Sequence, residues 1–456
     1  MRDETHDWRG LPVTTSAPRT TAGIDAFSEG FLAYEPRNVR VIAAAEADAD
    51  APLANAYAAM LHMFIEKRDA AAAARPFLAR AEEAAHATPR ERMVVAAARA
   101  WVDGDLARAI AIGEQAACEH PRELALAKVT QYHLFNLGDA PGMLRVAGRL
   151  IDANREVPYV HGMLAFAYEQ CHLLREAEDA ARTAIGLRRS EPWAHHALAH
   201  VMLTQGRNDE SRAFLEDVKD CWSGLNSFMH THNWWHLALV QIEQGEAAAV
   251  LGYYDQHIWG VWKQYSQDQI GAVSLLARLE LAGVDVGDRW QDVADHLMAR
   301  VDDHVQPFLS MQYLYGVARA GRAEADAMLA AIRETAAAAP PISRMAWAEV
   351  CVPACEGLLA HARGDMMGTL RGLAPVLPRM GEIGGSHAQR DLFEQMALDA
   401  LVRTGRLVAA QQMLELRRAG NPHSVPTLRR LEQVYGALRL PEQAALVWRR
   451  GSEASL

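Results

Sequence analysis

The sequence predicts an all-α protein, a right-handed α-solenoid in which helical hairpins stack on one another along the chain. Three observations predict this fold class. Half of the 456 residues are hydrophobic, only 7% are aromatic, and alanine is very common, which suits closely packed helices better than sheets. From about Val39 onward, short polar turns separate one helical segment from the next. These turns also recur at a fixed interval in the first half of the chain.

The interval between successive turns equals the length of a tetratricopeptide repeat, which is about 34 residues. Four helix–turn–helix junctions share this register: Gly104, Gly138, His172 and Gly206. Two prolines at expected helix starts, Pro158 and Pro192, are separated by the same interval. Each tetratricopeptide repeat is a pair of antiparallel helices that packs on the next pair. The sequence therefore predicts a tetratricopeptide-like array.

The regularity of the turns suggests three parts of the chain. Residues 1–40 contain a stretch rich in Pro, Ser and Thr, and are expected to form an N-terminal arm and a short helix. Residues 41–260 are expected to form the regular array. Turn spacing is irregular afterwards, so residues 261–456 are expected to continue the solenoid irregularly and to end in a capping hairpin.

One interval inside the array is longer than the others. The separation of Gly206 and Gly245 exceeds the repeat interval by five residues, which places an insertion near Cys221–Phe228. The next stretch, Met229–Glu243, is the most chemically dense of the chain, with three histidines and two tryptophans in seven residues. The interval makes this stretch the first helix of a repeat.

Composition limits the classes of partner that are expected. A net charge of −11 and a pI near 6.0 provide no basic footprint for nucleic acid or anionic lipid. No apolar run approaches the ~18 residues of a membrane span, and no apolar signal core follows the charged N-terminus. Five scattered cysteines argue against a disulfide framework. A cytoplasmic protein without nucleic-acid or membrane partners is therefore expected, and the absence of phosphate-binding glycine motifs makes a nucleotide or flavin cofactor unexpected.

The repeat register places several polar side chains on the concave face. His196 and His200 are four residues apart, so they share one face of a helix. His232 and Trp235 should face them from the neighbouring parallel helix, with Glu169 one helix back. His161, His195 and His236 are expected to point toward helix–helix contacts instead.

Several interpretations of this groove remain open. In the favoured one, it binds a small molecule or a peptide through the set Tyr159, Trp193, His196, His200, His232, Trp235, Asp268 and His387. In the second, it is an enzyme site for hydrolysis or other acid/base chemistry, with His196, His200, His232 and Glu169 as catalytic residues. The same three histidines could hold a transition metal, since imidazoles at this spacing suit zinc or iron. A solvated polar surface, or a protein-assembly scaffold, would need none of this chemistry.

Two members of that set also have simpler interpretations. Asp268 opens a helix and would serve there as a helix N-terminal carboxylate. His387 follows a glycine-rich loop, where a role at the start of the next helix is the alternative to turning inward. Self-association of the irregular second half is a further option, although the sequence offers no interface signature.

Four strings resemble the tetratricopeptide repeat protein 38 family. They are T-H-N-W-W-H-L-A-L (Thr231–Leu239), Y-Y-D-Q-H-I-W (Tyr253–Trp259), S-H-A-Q-R-D-L-F (Ser386–Phe393) and G-L-P-V-T-T-S-A (Gly10–Ala17). The resemblance spans almost the whole chain, and His257 departs from its pattern. It implies a cytosolic α-solenoid and brings no agreed reaction. Because the strings include His232, Trp235 and His387, the resemblance favours a specific small-molecule or catalytic pocket over a bare scaffold.

Overall fold

Helix follows helix in the computed structural model, which describes residues 5–15 and 17–453. The fold is an all-α, tetratricopeptide-like solenoid, as predicted. Contacts divide it into two units. The first comprises residues up to Ala197, Cys221–Met229 and Pro340–Ile342, and the second comprises the rest. The boundaries expected at residues 40 and 260 stay predictions.

The first unit begins with a small hairpin. Its strands are β1 (Thr5–His6) and β2 (Pro12–Val13), and its helices are α1 (Pro18–Leu32), α2 (Arg40–Ala47), α3 (Pro52–Met63), α4 (Ala70–Glu83), α5 (Pro89–Val102), α6 (Leu106–Glu119), α7 (Leu124–Asn136), α8 (Ala140–Leu150), α9 (Pro158–Gln170) and α10 (Leu174–Leu187). A buried ion cluster ties the hairpin down. Arg90 lies 2.7 Å from Asp7 and 2.8 Å from Glu123. The expected N-terminal arm is therefore anchored on α5 and α7.

Three helices follow, α11 (Pro192–Thr204), α12 (Asn208–Val218) and α13 (Ser227–Glu243). The division into units falls within α11 and within α13. The residues that lengthen the repeat interval lie between α12 and α13, where a 3-10 helix, Lys219–Trp222, precedes a turn. Trp222 Nε1 donates to His195 Nδ1 at 3.2 Å, and the backbone N–H of Asn226 donates to the Tyr34 carbonyl at 2.6 Å. Both hydrogen bonds hold the inserted segment to the first unit.

The remaining helices belong to the second unit. They are α14 (Val250–Tyr253), α15 (Ser266–Leu281), α16 (Arg289–Leu297), α17 (Pro307–Arg319), α18 (Glu324–Ala338), α19 (Val352–Ala362), α20 (Met366–Leu373), α21 (His387–Arg403), α22 (Leu407–Gly420), α23 (Val425–Ala437) and α24 (Pro441–Glu453). Two π-helices, Tyr254–Ile258 and Ala346–Cys351, and several 3-10 turns interrupt them. The π-helix Ala346–Cys351 lies within residues 261–456 and Tyr254–Ile258 lies before them, so the expected division into a regular and an irregular part stays a prediction.

The turns of the repeat have a common backbone conformation. Gly104, Gly138 and Gly206 have φ angles of 79°, 72° and 69°, in the left-handed region that glycine adopts without steric cost. His172 occupies the same position of its repeat with a φ of 57°. The predicted repeat interval therefore marks a recurring left-handed helix end. In the part of the chain that the structure describes, no helix combines the length and apolar composition that a membrane crossing needs.

Candidate histidine site

The candidate site is built on the pairs of histidines that α11 and α13 carry. His196 and His200 are successive on one face of α11, and His232 and His236 are successive on one face of α13. Proline in the first turn favours the start of α11. At the start of α13, the Asn226 side-chain oxygen accepts from the Met229 N–H at 3.0 Å, which satisfies one unpaired donor of the first turn.

Three imidazoles meet within the second unit. His200, His232 and His236 each provide one ring nitrogen, and these three nitrogens all lie within 4.8 Å of one another. The ring centroid of His236 is 4.5 Å from that of His200 and 4.9 Å from that of His232. All three are buried, with exposed fractions of 1%, 9% and 1% for His200, His232 and His236. We call these three residues the histidine cluster.

The register placed His236 at a helix–helix contact. Its ring lies 4.5 Å from that of His200 on the neighbouring α11, and it is also part of the cluster. The reason is that His236 follows His232 by one helical turn, so the two side chains share a face of α13. His196 precedes His200 by one turn of α11.

The cluster is electrically neutral at two of its three positions near neutral pH. Burial lowers the pKa of His232 to about 3, and the neighbouring His200 lowers it further. Burial also holds the pKa of His236 well below its usual value, helped by His200, His232 and Arg278. Neutral imidazole is the form that binds a metal, because a protonated ring nitrogen has no free lone pair.

A buried arginine accompanies the cluster. The guanidinium of Arg278, on α15, lies 5.6 Å from the ring centroid of Trp235. Trp235 in turn stacks on His232, with centroids 5.4 Å apart and an interplanar angle of 7°. Arg278 Nη2 donates to the Ala388 carbonyl, whereas Nη1 and Trp235 Nε1 have no hydrogen-bond partner in the described part of the chain. Burial lowers the pKa of Arg278 to about 10, so it remains a cation at neutral pH.

Further charges lie close enough to Arg278 to affect its pKa. Asp391 and Glu243 raise it, and Arg417 lowers it. Burial works to raise the pKa of Asp391, but the charge and hydrogen bond of Arg417, 2.5 Å away, hold it at about 2. Burial raises the pKa of Glu243. The cluster therefore adjoins a network of alternating charge. Sequence reasoning missed Arg278, and the available signal was a single arginine amid the apolar residues of Ala272–Leu281.

The structure places Asp268 and His387 at two helix starts in the second unit. The Asp268 carboxylate accepts from Thr231 Oγ1 at 3.4 Å and from the Trp262 N–H at 3.1 Å. His387 opens α21, and its Nδ1 lies 3.3 Å from Arg390 Nη2. Asp268 thus connects α13 with the chain before α15. The ligand-binding roles of Asp268 and His387 stay predictions.

The other predicted residues lie in the first unit. Tyr159 is buried, accepts from Arg188 and is 3.4 Å from Glu29 Oε1. Trp193 stacks on His196, with centroids 4.3 Å apart and an interplanar angle of 27°. The carboxylate of Glu169 is fully buried and accepts from the Gln170 amide. Ligand contacts of Tyr159 and Trp193, and a catalytic role of Glu169, stay predictions.

Comparisons with known proteins add little to this description. No family model matches the chain. A structure titled human IFIT1 dimer with m7Gppp-AAAA is 11% identical, with a TM-score of 0.42, and one with PPP-AAAA is 10% identical, with a TM-score of 0.37. Each alignment covers 100% of this chain and 96% of the other. The expectation of no nucleic-acid partner stays a prediction, and the assignment of an all-α, tetratricopeptide-like solenoid is based on the chain's own helices and turns.

Proposed function

We propose that the protein is a binding protein whose histidine cluster holds a transition-metal ion, and that this ion binds a small molecule. The observation that carries the proposal is the meeting of His200, His232 and His236, from two helices, with ring nitrogens within 4.8 Å. Imidazole is a preferred ligand of zinc, copper, nickel and iron. Ligand nitrogens around tetrahedral zinc are about 3.3 Å apart, so small ring movements would bring the three to bonding distance.

Other buried histidines of the chain have a different environment. His195 Nε2 is 2.7 Å from the Arg189 carbonyl, and its Nδ1 accepts from Trp222. His304 has Ser310 Oγ at 3.1 Å from Nδ1 and the Val301 carbonyl at 3.1 Å from Nε2. These are histidines in structural hydrogen bonds. The cluster histidines bring ring nitrogens from three residues close to one another, which supports a shared ligand.

The number of histidine ligands decides what such an ion could do. Three protein ligands leave one position of a tetrahedral ion for water or a small molecule, as in catalytic zinc sites. A fourth histidine would close the site and make it structural. His196 is the candidate for that fourth ligand, because it precedes His200 by one turn of α11. We favour the open form, in which His196 leaves the fourth position to a ligand.

A metal-dependent hydrolase is the second candidate function, and Arg278 is the observation that favours it. Its Nη1 is a buried cationic donor without a hydrogen-bond partner among the described residues, close enough to lower the pKa of His236. An open metal position activates water, and a buried cation stabilises the negative charge that develops on a substrate oxygen. A peptide ligand for the groove and a scaffold role are the remaining alternatives.

We also propose that the chain belongs to the tetratricopeptide repeat protein 38 family and acts in the cytoplasm. The string Thr231–Leu239 supports the family, since it supplies His232, Trp235 and His236 to the surroundings of the proposed site. In this proposal, the resemblance and the cluster describe one feature of the molecule.

Elemental analysis of protein purified without an affinity tag tests the metal site. The protein is stripped with a chelator, dialysed against zinc, iron(II) or cobalt(II), and assayed for bound metal after gel filtration. We expect one ion per chain in the wild type and in His86→Ala, an exposed control. His236→Ala should lose the ion while keeping the wild-type circular dichroism spectrum.

A second series separates the open form from the closed one. If the fourth position is open, His196→Ala retains the ion, and the cobalt(II) spectrum of the wild type changes when a small anion such as azide is added. Loss of the ion from His196→Ala would show a closed, structural site. A wild type that binds no ion, or a folded His236→Ala that binds as much as the wild type, would refute the metal proposal.

A further inference from the structure

A cavity lies in the second unit, and none of its lining residues belongs to the histidine cluster. Its volume is about 930 Å³, within the range of small-molecule sites. The C-terminal ends of α13, α15, α17, α19 and α21 line it, together with the first turns of α23. Neither the repeat register nor the resemblance singled out this place.

Arginines dominate the charge of the cavity wall. Five line it, Arg319, Arg363, Arg403, Arg429 and Arg430, against three carboxylates, so the wall has a formal surplus of two positive charges. The chain as a whole has a net charge of −11. A local surplus of positive charge in an acidic protein favours an anionic ligand.

Two of these arginines are incompletely paired. Arg403 and Arg430 share the single carboxylate of Asp399, at 3.4 and 3.3 Å. By contrast, Arg319 forms a bidentate pair with Glu280 at 2.7 and 2.8 Å. A guanidinium has five N–H donors, so Arg403 and Arg430 keep donors that Asp399 does not use. An oxyanion is the ligand that such a pair of guanidinium groups fits.

A buried tyrosine and histidine add a ring N–H donor. The Tyr315 hydroxyl is 3.2 Å from His361 Nδ1. Burial raises the pKa of Tyr315, so the phenol keeps its proton and donates it to Nδ1. Because Nδ1 accepts from Tyr315, a ring hydrogen of His361 is on Nε2, which has no hydrogen-bond partner among the described residues. Nε2 is 3.7 Å from Asp399 Oδ2, too far for a hydrogen bond, and the side chain is only 9% exposed.

We propose that this cavity binds a small molecule through an oxyanion group, a phosphate or a carboxylate, held by Arg403 and Arg430 with the His361 Nε2–H as a third donor. Asp399 fixes the two guanidinium groups, and Tyr315 fixes the tautomer of His361. The site is independent of the histidine cluster, so failure of the metal proposal would leave it intact.

Calorimetric titration of the full chain with inorganic phosphate and, separately, with citrate tests this proposal, with sodium chloride added to keep the ionic strength constant. We expect saturable binding of at least one of the two at concentrations of roughly 1–10 mM. Stronger binding of phosphate would identify a phosphorylated ligand, and stronger binding of citrate a carboxylate. Arg430→Gln should weaken binding about tenfold, because one charge-assisted hydrogen bond contributes about that factor.

Two further variants make the test specific. Arg333→Gln is the matched control, since Arg333 pairs with Glu356 at 2.6 Å on an exposed surface outside the cavity. Arg403→Gln replaces Arg430→Gln if the latter does not fold, because the Arg403 side chain is half-exposed. The proposal is overturned if neither anion binds saturably, or if a folded Arg403→Gln or Arg430→Gln binds as tightly as Arg333→Gln.

Discussion

Acidification should destabilise the metal-free protein through its buried histidines. Burial lowers the pKa of His133 and of His232 each to about 3 in the folded chain, and holds that of His236 well below its usual value. The pKa of an unfolded histidine is about 6.5. Below that pH the unfolded chain takes up protons that the folded chain cannot accept at these positions. Stability is therefore retained above pH 6.5 and is lost as the pH falls toward the folded pKa values.

The size of the effect follows from the two pKa values. Between pH 7.5 and pH 5.5, a histidine with a folded pKa of about 3 loses about 1.4 kcal/mol of unfolding free energy. His133 and His232 together lose ~3 kcal/mol, and His236, whose folded pKa is held well below its usual value, adds a loss similar to that of either one, for a total of ~4 kcal/mol. An unfolding entropy of about 2.1 cal/mol/K per residue gives ~1 kcal/mol/K for the whole chain. The midpoint of thermal unfolding should therefore fall by ~4 °C if the chain unfolds cooperatively.

Circular dichroism melts in the presence of a chelator measure this shift. His232→Asn removes one of the three titrating groups, so its midpoint should depend on pH about one-third less than that of the wild type. His86→Asn, an exposed position, serves as the control for a general effect of losing a histidine. A wild-type midpoint that is equal at pH 7.5 and 5.5, or a His232→Asn variant with the full pH dependence, would refute the reasoning.

Four substitutions test the fold. Gly104→Ala should lower the unfolding free energy, measured by chemical denaturation, by about 1–2 kcal/mol, because Gly104 has a φ of 79°. No atom crowds the added methyl, so the cost comes from the backbone conformation alone. Gly148→Ala, inside α8 and equally uncrowded, should instead raise the unfolding free energy by about 0.5–1 kcal/mol. Arg90→Gln should cost about 3–5 kcal/mol, since it leaves two buried carboxylates without their cation, and a cost below about 1 kcal/mol in the same assay would contradict this. Gly372→Ala would place a methyl 2.5 Å from the Gly357 nitrogen, so hydrogen exchange should accelerate in α19 and α20, and an unchanged exchange pattern would exclude this close approach.

The repeat was predictable because its signal is local. Each turn needs a residue that tolerates a positive φ, and glycine at a fixed interval is visible in the sequence without knowledge of any contact. His172 shows the limit of this signal, since the register rather than the residue type identified it as a turn, and its φ is 57°. The hairpin of β1 and β2 was not foreseen, because its anchors are Asp7 and Arg90, which are 83 residues apart in the chain.

The candidate site was only partly predictable for the same reason. Residues placed by helical spacing, His200 and His232, meet in the structure, and His236, which was expected at a helix–helix contact, lies beside both of them. Arg278 and Asp391 influence one another although they lie far apart in the sequence, on α15 and α21. Such proximity depends on how the irregular second half packs, and no periodicity encodes it.

The inserted segment before α13 has a consequence for how such a site could arise. In a uniform array the packing on the preceding helix fixes the rotation of each helix about its own axis. A substitution on one face must therefore fit the neighbouring helices on both sides. A linker of different length, held by the hydrogen bonds of Trp222 and Asn226, allows the next helix to adopt a different rotation. The length of one connection can therefore determine which side chains of α13 face inward. A repeat protein can gain a binding or reactive site at the place where its periodicity is interrupted.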